Sequence, residues 1–351
     1  MKEELIIKEY KESIGNFTKL KKRCDSLIDE LCQKDGIQIH SISSRIKTED
    51  SLKGKIANKG EKYNSLIDIT DILGIRIITL FEDDVIKVET VLKSIFEIDK
   101  NNSEDKFNKL KANEFGYRSV HFVCSLNAER KKLRENEDIA NLKFEIQVRS
   151  ILQHSWAEIE HDLGYKFESD LPDQIQRDFF RVAGLLELAD MEFIRIKKEI
   201  QKYANTLRIN DPTIFIPINV ISFDKFLEES YMLNEIESEI SKINAIPIQG
   251  KFRGSQMMKI FQLIKVKDLT ELEEILKTKK NQLIQFTVRW IEGQKIIRKG
   301  LSIWTLAYIL KAEISKEDLE DYLDQMDIGG TQYIATNSER ILKTLELIKS
   351  P

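Results

Sequence analysis

The alternation of apolar and polar residues predicts a strand at the beginning of segment 144–166, FEIQVRSILQHSWAEIEHDLGYK. The apolar positions 144, 146 and 148 alternate with Glu145, Gln147 and Arg149, and a period of two is typical of a half-buried strand. Apolar residues at helical spacing follow, so a helix is predicted directly after the strand. A solvated sheet face would by itself explain the three polar positions. Whether these residues belong to a functional site therefore depends on motifs elsewhere in the chain.

The same patterns predict alternating helices and strands over the first half of the chain. A helix is predicted over 3–33, and a second over 83–96 begins with acidic residues that suit a helix N-terminus. Strands are predicted over 74–81, 117–126 and 143–150. This alternation indicates an α/β (or α+β) fold.

A change in composition marks the predicted domain boundary. All five prolines lie at or after Pro172, and Pro212 and Pro217 follow a long amphipathic helix predicted over 172–208. We therefore expect two domains, 1–208 and 209–351, since 351 residues are enough for two cores. The second is predicted to be mainly helical, with helices over 223–243, 268–288, 302–312, 315–325 and 336–349.

The second domain contains no histidine and no recognisable chemical motif. We therefore expect it to regulate or oligomerise the first domain, which leaves a homo-oligomer open as a prediction.

Composition and charge exclude several classes of protein. No apolar run approaches the ~18 residues that span a bilayer, and the first fifteen residues lack the apolar core of a secretory signal. We therefore expect no membrane partner. The three cysteines show no metal-ligand spacing, which favours a reducing cytoplasm. The net charge of −4 argues against a surface that binds nucleic acid as a whole.

A local basic cluster nevertheless lies between residues 45 and 62. Six basic residues stand against three acidic ones, and such clusters are usually solvated. The basic members are Arg45, Lys47, Lys53, Lys55, Lys59 and Lys62.

Two carboxylates are candidates for divalent metal binding. Asp71 lies in DILGIRI at the mouth of a predicted strand, and Glu145 lies on the polar face of another. Carboxylates placed in this way suit a cation that carries phosphate oxygens. For Asp71 alone, a helix or turn cap is the commoner role.

The segment FGYRSVHF offers a second polar strand face. Tyr117, Ser119 and His121 fall on one face at a period of two. Tyr117 could stack on a base, although a strand tyrosine is more often part of the core.

The ordered set SRIKTEDSLKGK, DILGIRI, FGYRSVHF and FEIQVRSILQHSWAEIEHDLGYK closely resembles the synthetase domain of the RelA/SpoT family. That family makes the alarmones (p)ppGpp of the stringent response, and the resemblance covers roughly residues 40–166. It implies a nucleotidyltransferase-like mixed sheet flanked by helices. We expect a small, synthetase-only member with an added C-terminal module.

The resemblance implies an Mg2+-dependent pyrophosphokinase that transfers the β,γ-pyrophosphate of ATP to the 3′-hydroxyl of GTP or GDP. Asp71 matches the family's Mg2+-binding aspartate, and Glu145 matches the second catalytic carboxylate, which binds metal or activates the hydroxyl. Arg45 and Arg76 match the arginines that sandwich adenine. The lysines expected to hold the ATP phosphates are Lys47, Lys53 and Lys55.

The resemblance also implies an acceptor site. Tyr117 matches the tyrosine that stacks on guanine, and His121 matches a histidine near the acceptor's phosphates. The remaining polar residues expected in this site are Ser119, Gln147 and Arg149.

One position departs from the guanine-specific pattern. Phe115 stands where many such members have asparagine, and phenylalanine cannot read a base edge by hydrogen bonding. A toxin-like pyrophosphokinase acting on the tRNA 3′ end or on adenine nucleotides is therefore an alternative, with the basic residues between 130 and 134 as a modest tRNA surface. A catalytically inactive nucleotide sensor is a third hypothesis, which the retained carboxylate pair disfavours.

Overall fold

A computed structural model describes residues 2–59, 62–105, 119–165, 172–326 and 331–349. The chain forms two compact units, Met1–Lys197 and Lys198–Pro351. They divide within one long helix, earlier in the chain than the predicted boundary at 208/209.

A six-stranded mixed sheet lies at the centre of the first unit. Its strands are β1 (Ile39–Ile46), β2 (Leu73–Thr79), β3 (Phe96–Ile98), β4 (Glu104–Asp105), β5 (Val120–Leu126) and β6 (Phe144–Ser150). Their order is β1-β2-β6-β5-β3, and β4 also pairs with β5. Strands β2 and β6 are parallel, whereas the other described strand pairs of this sheet are antiparallel.

Helices pack against this sheet because their apolar residues recur at helical spacing. In α1, buried Ile6, Tyr10, Phe17, Leu20 and Cys24 form one such stripe. The described helices of this part of the chain are α1 (Lys2–Lys34), α2 (Glu49–Lys59), α3 (Glu82–Ile95), α4 (Ala128–Lys131), α5 (Ile151–Tyr165) and α6 (Asp173–Thr206), the last of which continues into the second unit.

The core of the first unit joins α1 and α3 to the buried face of the sheet. Phe144, Ile146 and Val148 of β6 are fully buried in it, as their alternation predicts. The three cysteines are free and buried there as well. The predicted α/β fold of this unit is confirmed.

The predicted elements of the first unit are present, and the structure adds others, among them α2, β1, β3 and β4. The strand predicted from Tyr117 begins at Val120, and residues 117 and 118 lie outside the described residues. Strand β1 was not predicted, because its sequence IHSISSRI contains few apolar residues, and its residues are at most half-buried.

The second unit is mainly helical, as predicted. Its helices are α7 (Val220–Glu229), α8 (Tyr231–Asn244), α9 (Gly254–Ile264), α10 (Leu269–Trp290), α11 (Leu301–Ile314), α12 (Lys316–Gln325) and α13 (Thr331–Lys349). Two short parallel strands, β7 (Ile248–Lys251) and β8 (Ile297–Lys299), were not predicted.

The single helix predicted over 223–243 is wrong, because the chain breaks at Ser230. The Ser230 hydroxyl oxygen accepts the backbone N–H of Leu233 at 3.1 Å and so caps α8. The same hydroxyl donates to Glu273 at 2.7 Å. A separate core of apolar side chains, drawn from residues 209–345, stabilises this unit.

Within the described residues, no helix is both long and apolar enough to cross a membrane.

Candidate active site

The polar face of β6 forms a chain of side-chain hydrogen bonds. Arg149 donates to Gln147 Oε1 at 2.6 Å, and Gln147 donates to Glu145 Oε1 at 2.8 Å. Arg149 is only 6% exposed, although it lies on the face that its alternation predicts to be polar. A buried guanidinium needs polar partners, so this face is organised for more than solvation.

His121 of β5 binds the same carboxylate from the neighbouring strand. It lies beside Gln147 in the register, and its Nδ1 is 3.1 Å from Glu145 Oε1. Hydrogen bonding to His121, and less strongly to Gln147, lowers the pKa of Glu145 to about 2 despite its burial. Glu145 is therefore ionised at neutral pH.

Two buried polar atoms on this side make no hydrogen bond within the described residues. They are Nε2 of His121 and the hydroxyl oxygen of Ser119, which is 1% exposed. Buried polar groups ordinarily have partners, so these two atoms have unused hydrogen-bonding capacity.

Two lysines neutralise Asp71, which lies just before β2. The Lys55 ammonium is 2.8 Å from one carboxylate oxygen, and the Lys47 ammonium is 3.2 Å from the other. Lys47 follows β1 and Lys55 lies on α2, so two further elements converge on this carboxylate.

Strand register brings the two candidate carboxylates to one cavity. Arg45 pairs with Gly74, Gly74 pairs with Glu145, and Arg76 pairs with Gln147, so these positions share a sheet face. Asp71 precedes the same end of β2. The cavity has a volume of about 330 Å3, and the predicted residues that line it are Arg45, Lys47, Asp71, Arg76, Glu145 and Gln147.

Lys53 is not brought to this cavity. Its ammonium lies 2.8 Å from Glu49 in the preceding turn of α2. Because Lys53 and Lys55 are two residues apart, their side chains leave the helix in different directions. Tyr117 lies outside the described residues.

Glu158 is a residue of this region that the sequence did not reveal. It lies on α5 and pairs with Arg76, with 2.9 Å between Oε1 and Nη1. The only available signal was its place on the helix that directly follows β6. That helix begins there because Ser150 and Gln153 exchange hydrogen bonds between side chain and backbone.

Asp71 and Glu145 suit a cation whose coordination shell is completed by substrate oxygens. Within the described residues, no three histidine, cysteine or carboxylate side chains cluster as metal ligands. Asp71 and Glu145 therefore do not form a complete protein cage, but one or two carboxylates with substrate phosphates is the usual Mg2+ arrangement.

Comparison with known proteins shows which family and which relatives this chain is similar to. The family model described as a region found in RelA/SpoT proteins matches residues 44–170. The GTP pyrophosphokinase YwaC of Bacillus subtilis is 30% identical over 165 residues, which cover 46% of this chain and 75% of the relative. The GTP pyrophosphokinase YjbM of the same organism is 27% identical over 170 residues, 48% of this chain and 77% of the relative. The crystal structure of small alarmone synthetase 2 from B. subtilis aligns with 54% of this chain and 99% of its own, at 29% identity and a TM-score of 0.46.

The matched family model and the similarity to YwaC show that the chain belongs to the RelA/SpoT family. It is a pyrophosphotransferase of the (p)ppGpp-synthetase type. The family prediction made from the four motifs is confirmed.

Proposed function

We propose that this chain transfers the β,γ-pyrophosphate of ATP to the 3′-hydroxyl of GTP or GDP, in an Mg2+-dependent reaction that makes pppGpp or ppGpp. The main support is the one cavity lined by Asp71, Glu145 and the two arginines. The names of the relatives, GTP pyrophosphokinases, agree with GTP as an acceptor for those proteins.

The metal would be held by Asp71 and Glu145. Bound there with the triphosphate, Mg2+ would neutralise charge on the transferring group. Lys47 and Lys55, which contact Asp71, carry charges complementary to the same phosphate oxygens. Two polyphosphates repel each other, so several cations are needed for their approach.

The donor base would lie between Arg45 and Arg76. Both line the cavity, and they come from adjacent strands on one sheet face. Guanidinium groups stack on flat ring systems, so two of them can hold a purine without reading its edge.

The acceptor would lie on the β5 side, where His121 Nε2 and the Ser119 hydroxyl have unused hydrogen-bonding capacity. Tyr117 would stack on the acceptor base, and Gln147 and Arg149 would complete the polar wall. Glu145 would accept a hydrogen bond from the 3′-hydroxyl. As the bond from this oxygen to the β-phosphorus forms, the bond from the β-phosphorus to the oxygen it shares with the α-phosphorus breaks. AMP leaves with that oxygen, and the hydroxyl proton is released to water.

The ionisation of Glu145 fits an orienting role. A carboxylate with a pKa of about 2 is a weak base, but it is always ready to accept the hydroxyl hydrogen bond. In a loose transition state the hydroxyl loses its proton late, so orientation contributes more than early proton removal.

The test is incubation of the purified protein with Mg2+, γ-labelled ATP and a panel of GTP, GDP, ATP, ADP and total tRNA. We expect label on GTP or GDP and none on the other acceptors. Label on tRNA or on an adenine nucleotide would replace this acceptor assignment by the toxin-like alternative. A folded protein that labels none of the panel would support the nucleotide-sensor hypothesis instead.

A further inference from the structure

We propose that Glu158 is a positioning residue that holds the guanidinium of Arg76 in place for the base of the donor nucleotide. This inference rests on the proposed function, because it takes ATP as the donor and Arg76 as one of its stacking partners. The pairing is direct, with 2.9 Å between Arg76 Nη1 and Glu158 Oε1.

The pair joins two different elements of the site. Arg76 lies on β2, beside Gln147 of β6, and its side chain lines the cavity. Glu158 lies on α5, two turns after the junction with β6. In the described part of the chain, Glu158 is the only carboxylate that pairs with Arg76. One turn before it, His154 Nδ1 is 3.7 Å from the same Glu158 oxygen, beyond hydrogen-bond distance.

The two functions of Arg76 would use different parts of its guanidinium. A carboxylate binds the N–H groups at the edge of the guanidinium plane, whereas a base stacks on its flat face. Pairing with Glu158 therefore leaves the face available, and it limits the rotation that a free arginine would have to lose on binding.

Electrostatics gives a second reason for the pair. Arg45 and Arg76 occupy diagonal positions on adjacent antiparallel strands, because Arg45 lies opposite Gly74 and Ser43 lies opposite Arg76. The Cα atoms of such positions are about 7–8 Å apart, and both arginines line the same cavity, so their like charges repel each other. The Glu158 carboxylate offsets this repulsion on the Arg76 side.

Exposure limits the size of the expected effect. The side chains of Arg76 and Glu158 are 33% and 54% exposed, so water screens their attraction. An exposed pair of this kind corresponds to a change of about 2- to 5-fold in affinity.

The experiment measures donor binding by the full chain with Glu158→Ala and Glu158→Gln. The probe is an ATP analogue with an α,β-methylene bridge, which cannot transfer its pyrophosphate, and binding is followed by calorimetry. We expect both variants to bind it about 2- to 5-fold more weakly, with a matching rise in KM for ATP. The turnover number and the acceptor KM should stay unchanged, which a general structural defect would not allow.

A double-mutant cycle tests whether Glu158 acts through Arg76. We expect Glu158→Ala to cause no further loss of affinity for the ATP analogue when Arg76 has already been changed to alanine. The matched control is Glu160→Ala, because Glu160 is exposed, lies on another face of α5 and has no ion pair within the described residues. Thermal unfolding of every variant tests whether it is folded. If Glu158→Ala does not fold, Glu158→Gln still tests the proposal.

Three outcomes would overturn the proposal. The first is unchanged affinity for the ATP analogue in both Glu158 variants, and the second is tighter binding in either of them. The third is an equal loss of affinity from Glu158→Ala in the wild-type and Arg76→Ala backgrounds. Failure of the proposed function is distinguishable, because the wild-type chain would then neither bind the ATP analogue nor transfer label from ATP.

Discussion

The carboxylate of Glu145 shows how single residues set the chemistry of this site. His121 and Gln147 both hold it in the ionised form, and His121 contributes most to its low pKa. Because the pKa of about 2 lies below its ordinary value of 4.5, Glu145 stabilises the folded chain above pH 4.5. That contribution is lost as the pH falls from 4.5 towards 2.

A His121→Ala variant should therefore shift the pH dependence of activity. Without the imidazole, burial raises the pKa of Glu145, so the acidic limb of kcat/KM should move to higher pH. The measurement is kcat/KM for pyrophosphate transfer from about pH 4 to pH 9. His161→Ala, a change at an exposed histidine of α5, is the control. An acidic limb at the same pH in the His121 variant and the wild type would contradict the assigned role.

At the scale of the elements, strong periodicity made the sequence informative. The predicted helix 3–33 is α1 (Lys2–Lys34), and the predicted strand 143–150 is β6 (Phe144–Ser150). Both bury a regular apolar stripe, so their pattern is set by the core they face. Strand β1 was missed because none of its residues is fully buried, and β7 because all four of its residues are exposed. Strand β8 was missed because three residues are too few to show a period.

The candidate site was predictable as a set of residues but not as a geometry. Three of the four motifs supplied Arg45, Lys47, Asp71, Arg76 and Glu145, which the structure brings to one cavity. Only the strand register explains why residues so far apart in sequence meet. The Arg76–Glu158 pair depends on how α5 lies over the sheet, and no local spacing encodes that contact.

At the scale of the whole molecule, the two units have separate cores, and the second contains a buried acid. Glu237 of α8 is 1% exposed and accepts the backbone N–H groups of Gly300 and Ser302, at 2.9 and 3.1 Å. These groups lie at the N-terminus of α11, which partly offsets the cost of burying the charge. Burial is the larger effect and raises the pKa of Glu237 to about 7.

The stability of the second unit should therefore depend on pH. Because its folded pKa is raised, Glu237 favours the folded chain most below pH 4.5, and this contribution is lost as the pH rises through about 7. The full loss is on the order of 3 kcal/mol. Glu237→Gln should remove this dependence, so the variant should gain stability relative to wild type between pH 5 and pH 8.

The measurement is chemical denaturation over that pH range, followed by tryptophan fluorescence, since two of the three tryptophans lie in the second unit. Glu239→Gln, an exposed change two residues further along α8, is the control. Parallel pH profiles for wild type and Glu237→Gln would contradict the assignment. The regulatory or oligomerising role of this unit stays a prediction.

The central claim is that Asp71 and Glu145 act together on one transferring pyrophosphate. It is tested most directly by transfer of label from γ-labelled ATP to GTP by purified Asp71→Asn and Glu145→Gln, beside Asp50→Asn as an exposed control on α2. We expect each site variant to stay folded and to lose transfer by about 10²-fold or more, while the control keeps wild-type activity. Wild-type transfer by either folded site variant would contradict the claim.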